Sequence, residues 1–442
     1  RRVHGDIPIT TKSSVMFFTL TTPKNLAPPR HSLSHHHGNG KLLKSPALAR
    51  HLVVLCLHSE RGIEFEVGEA FYREESRIGR DLGVLSAFIY KQDNSHLRVL
   101  DAMCGSGIRS CRYLAQSNAD FVLANDANVD SRRLIVENLE RIDSNSIPST
   151  DAKRWSVTHQ EANRLLSECY LERNYFDLID IDSFGSESMF LRSSMLAAKI
   201  GGLLYLTHTD GYSSGGHRPY QSLAAYGSFV RPMPYSNEIG LRMLIGGAIR
   251  EASVIGYRIK PLFSYYSFHG PVFRVMLKLL KGKLSEDRQY GFIGYCHRCG
   301  NSRSFTWSEV GKINCLCSSE KTPSIAVSGP LYTGPLHNGD YVREMLNVAK
   351  KWGWAEDEGE MEKLLKVLID ESDERLPSGY IKVDEVAKRG KINSPPMQGF
   401  MSAILKEGYA VSRSHIVSNA IKTDCPMSEC VVIAQKLQVN SS

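Results

Sequence analysis

Residues 176–188 read FDLIDIDSFGSES, an apolar run that carries three aspartates, with Asp180 and Asp182 towards its end. An ordinary buried strand has no use for them, so their place at a strand exit invites a chemical reading. A carboxylate there can accept an N–H and stabilise positive charge developing on an attacking nitrogen. Phe184, two positions on, sets an aromatic ring beside that exit. Alternation along the strand puts Asp180 on the same face as Asp182 but about 7 Å further back. It would support the pocket there or cap a backbone group. A second stretch, VLDAMCGSGIRS, brings Asp101 to a strand end and then sets Gly105 and Gly107 before a helix start. Glycines at that place let backbone amides come close to a ligand. Asp126 ends the next strand, where an acid accepts both hydroxyls of a ribose.

Both NAD and S-adenosylmethionine carry that ribose. The third glycine of the dinucleotide pattern G-x-G-x-x-G is Ser110 here. A pyrophosphate asks for amides without an anion nearby, whereas a sulfonium tolerates Asp101 beside the glycines. Asp182 leading into Phe184 is similar to the D-P-P-[YF] signature of methyltransferases that modify exocyclic or amide nitrogens. S-adenosylmethionine is therefore the expected cofactor. A separate group, Cys296-x-x-Cys299 and Cys315-x-Cys317, can close a tetrahedral structural zinc site from two knuckles. The second knuckle is one residue tighter than usual, so free thiols are the alternative.

These residues need strands and helices to hold them. From 98 to 210 short apolar runs (RVLDAM, FVLAND, WSVTHQEA, FDLIDID, GGLLYLTHTD) alternate with helical patterns such as IRSCRYLAQS and SRRLIVENLERI. Such alternation means right-handed βαβ units and a parallel sheet, with ligands at the carboxyl ends of the strands. Beyond about 283 come the cysteine stretch, a polar helix from 340 to about 372, and a tail. In the tail VDEVAKRG forms one helix. SPPMQGFMSAILKEG forms another, with Ser394 as its N-cap and Gly408 as its stop. Helix, turn, helix and extended hairpin suggest a winged-helix-like module.

With 442 residues the chain can bury more than one core. No charge-free apolar stretch of about 18 residues is present, so no membrane span is expected. The net charge of +7 is confined to residues 1–58, which hold eight Lys/Arg against Asp6 alone; the remainder has 46 of each sign. That acid-poor, hydroxyl-rich leader has the composition of an organelle transit peptide, and Met16 is a candidate start. Import into a chloroplast or mitochondrion is expected, with cytoplasm or nucleus as the alternative. Local basic groups remain at Lys388, Arg389 and Lys391 and at Arg413, His415 and Lys422, where phosphate contacts would fit.

From about 60 to 437 the chain resembles the tRNA (guanine-26) N2-dimethyltransferase family. The resemblance rests on FYREESRIGRDLG, DAMCGSGIRSCRYL, ANDAN, EANRL, DIDSFGS, AKIGGLLYLTHTDG, NEIGLRMLIGGAIR, SGPLYTGPLHN and EGYAVSRSHIVSNAIKTDCP, in that order. It implies an α/β, class I (Rossmann-like) methyltransferase core at 59–283 and a zinc-ribbon-like insert at 284–330. A C-terminal winged-helix-like α+β domain that helps to hold tRNA follows at 331–442; no obligate protein partner is implied. Carried over by motif, cofactor contacts fall on Arg80, Arg109, Asp126, Glu161 and Ala162, with Arg80 and Arg109 gripping the methionine carboxylate. The chain departs from the family pattern at Ser183 (usually Pro), at Gly79 and Arg73 (usually Asn), and around 263–271, where an acid is displaced or lost. These departures ring the acceptor pocket. Two readings follow, a tRNA guanine-N2 methyltransferase and an RNA-binding relative that has lost turnover.

Overall fold

The computed structural model describes residues 57–144, 153–282, 289–315, 317, 325–356 and 359–440. The leader at 1–58 lies outside these residues except for Leu57 and His58, which open the first strand. Two short strands, β1 (Leu57–Glu60) and β2 (Ile63–Glu66), form a hairpin in front of helix α1 (Arg77–Asn94). The chain then runs β3 (Arg98–Asp101), α2 (Ile108–Ala115), β4 (Phe121–Asn125), α3 (Arg132–Ser144), β5 (Trp155–Thr158) and α4 (Ala162–Leu171). It continues with β6 (Phe176–Asp182), α5 (Leu191–Ala197), β7 (Ala198–His208), the short helices α6 (Gly211–Ser214) and α7 (Pro219–Tyr226), and α8 (Ser236–Val254). A hairpin of β8 (Tyr257–Ser267) and β9 (Val272–Lys281) completes a seven-stranded sheet of order β5-β4-β3-β6-β7-β9-β8.

The expected α/β architecture is present, but the sheet is mixed. β9 runs antiparallel to both β7 and β8. The reason is local. A turn at His269-Gly270-Pro271 reverses the chain within a few residues, and a tight reversal can only join antiparallel strands. The central strands are apolar on both faces because helices cover both. Val99 and Leu178 join a cluster with α1, α2 and α3, while Leu100 and Ile179 join the cluster of α4, α5 and α8. The strand order reverses at β3, which lies between β4 and β6. The crevice at the carboxyl ends of these strands is where such sheets bind ligands.

After the sheet come β10 (Tyr290–Cys296), β11 (Ser302–Phe305) and β12 (Ile325–Tyr332), a three-stranded antiparallel sheet. The polar helix expected at 340–372 is two helices, α9 (Gly339–Lys351) and α10 (Glu360–Asp370). Gly353, at φ +68°, ends the first. Val342, Met345, Leu365 and Leu368 pack into the same cluster as Ile78, Leu82 and Leu85 of α1. The tail consists of β13 (Ile381–Lys382), α11 (Val383–Gly390), α12 (Met397–Lys406), β14 (Val411–Arg413), β15 (Ala420–Thr423) and α13 (Met427–Asn440). Its β13-β15-β14 sheet and the α11–α12 pair give the winged-helix-like arrangement. Ser394 is not the N-cap of α12; the helix starts after Pro396, and the Ser394 hydroxyl donates to Asp384.

Two buried contacts join tail and core, and both overturn an RNA-binding expectation. Lys422 Nζ donates to Glu238 of α8 at 2.6 Å and to the Gly379 carbonyl at 3.0 Å, with its side chain almost wholly buried. Arg242, one turn after Glu238, donates to the same carboxylate at 2.8 Å. The NEIGLR stretch is thus a docking element. His415 Nδ1 meets Glu371 at 2.7 Å and His337 Nε2 meets it at 2.9 Å, all three side chains being buried. A lysine ammonium out of water needs a carboxylate, and Lys422 has one inside; His415 spends its Nδ1 on Glu371. Arg413, Lys388 and Lys391 are exposed, as phosphate contacts require.

Replacing Lys422 by Met leaves the buried Glu238 carboxylate with only Arg242 and the Gly379 amide as partners. The chain should lose roughly 3 kcal/mol of stability, read from its denaturant midpoint, whereas Arg413→Met should leave the midpoint unchanged.

Candidate active site

A cavity of about 850 Å³ opens at the carboxyl ends of β3, β4, β6 and β7. The segment after β2 and the β8–β9 turn form its other walls. Gly105 and Gly107 both have positive φ, +57° and +84°, which favours glycine. A Cβ on Gly107 would press on Ile135 of α3, so this glycine brings helix and loop together and does not line the cavity. A Cβ on Gly105 would have only the Phe71 carbonyl within 4 Å and would project into open space. The Gly105 amide donates to Asp126 Oδ2 at 2.9 Å, and the Asn128 amide to Asp126 Oδ1 at 2.9 Å. Asp126 is thereby fixed at the cavity wall with its carboxylate turned to the loop.

Four of the expected cofactor residues, Arg80, Gly105, Arg109 and Asp126, line this cavity. Glu161 and Ala162 do not. The Glu161 carboxylate accepts the amides of Asn163 and Arg164 at 3.0 and 2.9 Å and caps α4; Ala162 is buried in the core. Asp101 also differs from expectation. It is buried beneath the loop, accepts the Ser110 hydroxyl at 2.7 Å, and does not reach the cavity. Burial first, and the charge of Asp180 second, push its pKa up, so it favours the protonated form.

The two arginines do not present empty forks. Arg80 donates from Nε to Glu60 at 3.0 Å and from Nη2 at 2.6 Å, and again to the Arg73 carbonyl at 3.0 Å. Glu60 also binds the wholly buried Arg112, which reaches Asp81 at 2.6 Å. Arg109 donates to Asp180 Oδ2 at 2.8 Å and, with its other nitrogen, to Asp182 Oδ2. Glu60 carries no motif, and Asp81 and Arg112 lie in matched stretches (FYREESRIGRDLG and DAMCGSGIRSCRYL) where nothing singles them out. The signal in the sequence is only that acids and arginines fall inside otherwise apolar stretches, which is weak without a fold.

The aspartate pair at the end of β6 is divided as its alternation predicts. Asp180 is fully buried, held by Arg109 and by the Tyr113 hydroxyl at 2.7 Å. Asp182 faces the cavity with 28% of its side chain exposed. Burial opposes its charged form, but Arg109 and then Arg274 overcome this and hold its pKa down, to about 2. It is an anion at any physiological pH. The turn that follows is pinned by the Gly185 amide donating to Thr209 Oγ1 at 2.6 Å and the Thr209 amide to the Gly185 carbonyl at 2.8 Å. Phe184 stands 73% exposed at the cavity mouth, edge-on to Phe71 at 5.0 Å between ring centres. Ser183, where the family pattern has proline, donates its hydroxyl to the Thr207 carbonyl at 3.3 Å.

Away from the cavity, the four cysteines converge. Cys296 and Cys317 Sγ are 3.6 Å apart, Cys299 and Cys315 3.4 Å, and Cys315 and Cys317 3.3 Å. All four sulfurs lie within 4.8 Å of one another. Arg389 was expected at RNA; it instead donates to the Arg298 carbonyl within the first knuckle at 2.8 Å and pairs with Glu385.

A switch-point crevice with a glycine loop, an acid after the neighbouring strand and an anion at the β6 exit is the layout of class I methyltransferases. The family model for N2,N2-dimethylguanosine tRNA methyltransferase matches residues 58–435, and the chain belongs to that family. It is 29% identical over 374 residues to the tRNA (guanine(26)-N(2))-dimethyltransferase of Saccharolobus solfataricus, covering 83% of this chain and 91% of the relative. Against the same enzyme of Pyrococcus abyssi it is 29% identical over 364 residues, covering 80% and 90%. The structure of Trm1 from Pyrococcus horikoshii with S-adenosyl-L-methionine has the same fold, with a TM-score of 0.69 at 24% identity, covering 86% of this chain and 99% of that one.

Because folding lowers the Asp182 pKa, its contribution to stability is present above the unfolded value near 4 and is lost as pH falls through about 2. Wild type should exceed Asp182→Asn by about 2 kcal/mol at neutral pH. The gap should close in acid, measured by denaturant unfolding from about pH 6 to about pH 2.

Proposed function

We propose that this chain transfers a methyl group from S-adenosylmethionine to the exocyclic N2 of a guanine in tRNA, at position 26 as in its named relatives. The observation that carries this reading is Asp182, an anion at the cavity wall immediately before an exposed Phe184. The cavity fits the cofactor: the open face of Gly105 leaves room for close approach, and Asp126 stands where a ribose needs an acceptor. The cofactor supplies an electrophilic methyl on a sulfonium. Guanine N2 is a poor nucleophile because its lone pair is delocalised into the ring. Phe184 and Phe71 offer faces on which a flipped base can stack. Asp182 accepts an N–H from the amino group and stabilises the positive charge that grows on nitrogen during attack. With so low a pKa it works as a fixed anion more than as a store for the proton. An RNA-binding relative without turnover finds no support in a site whose anion and pinned turn are both in place.

The thiol cluster fits a structural zinc. Bonds of about 2.3 Å place sulfurs of a tetrahedral site roughly 3.8 Å apart, close to the separations of the cysteines. Cys296, Cys299, Cys315 and Cys317 would hold the metal and close the β10–β11 knuckle. Exposed Lys388, Lys391 and Arg413 of the tail would take tRNA phosphates.

An unmodified tRNA transcript incubated with labelled cofactor should yield N2-methylated guanosine, and nucleoside mass spectrometry then reads one methyl or two. Asp182→Asn should lower the rate about a hundredfold or more with cofactor affinity retained. Failure of the wild type to methylate any tRNA guanine while it binds cofactor would sink the proposal. Metal analysis should find one zinc per chain, lost in Cys299→Ser together with thermal stability. Metal-free wild type of equal stability would count against the zinc site.

A further inference from the structure

Beyond helping to keep Asp182 ionised, Arg274 has no role assigned above, and among the described residues that line the cavity its guanidinium lacks a good acceptor. It stands on β9 opposite Thr207 of β7, and both residues line the cavity. Its side chain is 3% exposed. Nε and Nη1 have no hydrogen-bond partner, and Nη2 lies 3.5 Å from Asp182 Oδ1, beyond good bonding distance. Arg80, Arg109 and Arg112 each have carboxylates in their forks. An arginine cannot shed its charge, so a buried one without acceptors is costly unless a ligand completes it. The site is built around it: a Cβ on Gly79 would come within 2.9 Å of Cζ, Nε and Nη1, so the guanidinium packs flat against that glycine.

Two acceptors could come here, the methionine carboxylate of the cofactor and a carbonyl of the target base. Position favours the base. The ribose-binding Asp126 follows β4, whereas Arg274 is on β9, four strand spacings or roughly 19 Å across the sheet. Arg274 is on the Asp182 side and adjoins it. An anion that only accepts, next to a cation that only donates, complements one purine edge. Guanine presents N2–H and N1–H followed by the O6 carbonyl. Adenine presents an acceptor at N1 and an amino group at C6, reversed at both places, so it would leave buried charges unpaired.

We propose that Arg274 donates to O6 of the target guanine and is the residue by which this site selects guanine, resting on the reading of the cavity as a guanine-N2 methyltransferase site. Asp182 takes the N–H groups, Arg274 takes the carbonyl, and the base is held by the edge that carries its reactive nitrogen.

The test uses the full chain and tRNA transcripts with guanine or 6-thioguanine at the target position. The thione keeps N1–H and N2 but is a weak acceptor. Wild type should prefer guanine in kcat/KM by about 10- to 100-fold, the range for a hydrogen bond to a charged donor. Arg274→Met should methylate both transcripts at one lowered rate, with cofactor affinity by calorimetry unchanged. Gly79→Ala keeps the arginine but displaces it, and should reduce the same preference. If Arg274→Met weakens cofactor binding and leaves the guanine preference intact, the arginine serves the methionine carboxylate and the proposal is overturned. Equal preference in wild type and variant also overturns it, while methylation of guanine by the wild type keeps the proposed function standing. A wild type inactive on guanine would instead refute that function.

Discussion

A single guanidinium, that of Arg109, binds both carboxylates at the exit of β6, and the active end of the molecule is arranged around it. Two like charges on one strand face, one of them fully buried, could not both persist in an apolar setting without it. With it, Asp180 becomes the anchor and Asp182 the working anion. The adjacent Asp101, paired in register with Asp180 across β3 and β6, is pushed towards its neutral form first by burial and then by the charge of Asp180. The three carboxyl groups take three roles: Asp101 pushed towards neutrality, Asp180 a buried anchor whose pKa burial also raises, and Asp182 an accessible anion. Position, not residue type, makes the difference.

A second set of buried charges does the same for the opposite wall. Glu60 from the hairpin holds Arg80 and Arg112, and Asp81 holds Arg112 and Arg61. These pairs fix the start of α1 and the segment before it, from which Phe71 and Arg80 reach the cavity. Isolated buried ion pairs add little net stability, but removing one partner is costly. They set where the wall stands, and a site for in-line transfer depends on such placement.

Much of this was legible in the residues. FDLIDID and GGLLYLTH lie in covered central strands, so their apolar runs announced them, and the helices showed their period. The division of Asp180 and Asp182 followed from their shared face and their different depth along the strand. The direction of β9 did not, because an apolar run carries no arrow and only the short turn before it does. Nor did the fate of the basic residues. Lys422 and His415 read as surface groups because their partners, Glu238 and Glu371, are 184 and 44 positions away in the chain. Glu161 shows the converse: an acid in the right motif at a strand exit was claimed by the amides of its own helix. Asp101 was misplaced because the face on which a strand's last residue emerges depends on the loop that follows.

The Lys422–Glu238 and His415–Glu371 contacts have a geometric consequence. They join the tail to α8 and to the end of α10 through interior polar contacts, and α9 and α10 fill the same core as α1. The separation between the exposed cations of the tail and the anion at Asp182 is then a constant of the molecule. If those cations take tRNA phosphates as proposed, the chain is a caliper, and the nucleotide that reaches Asp182 is chosen by length.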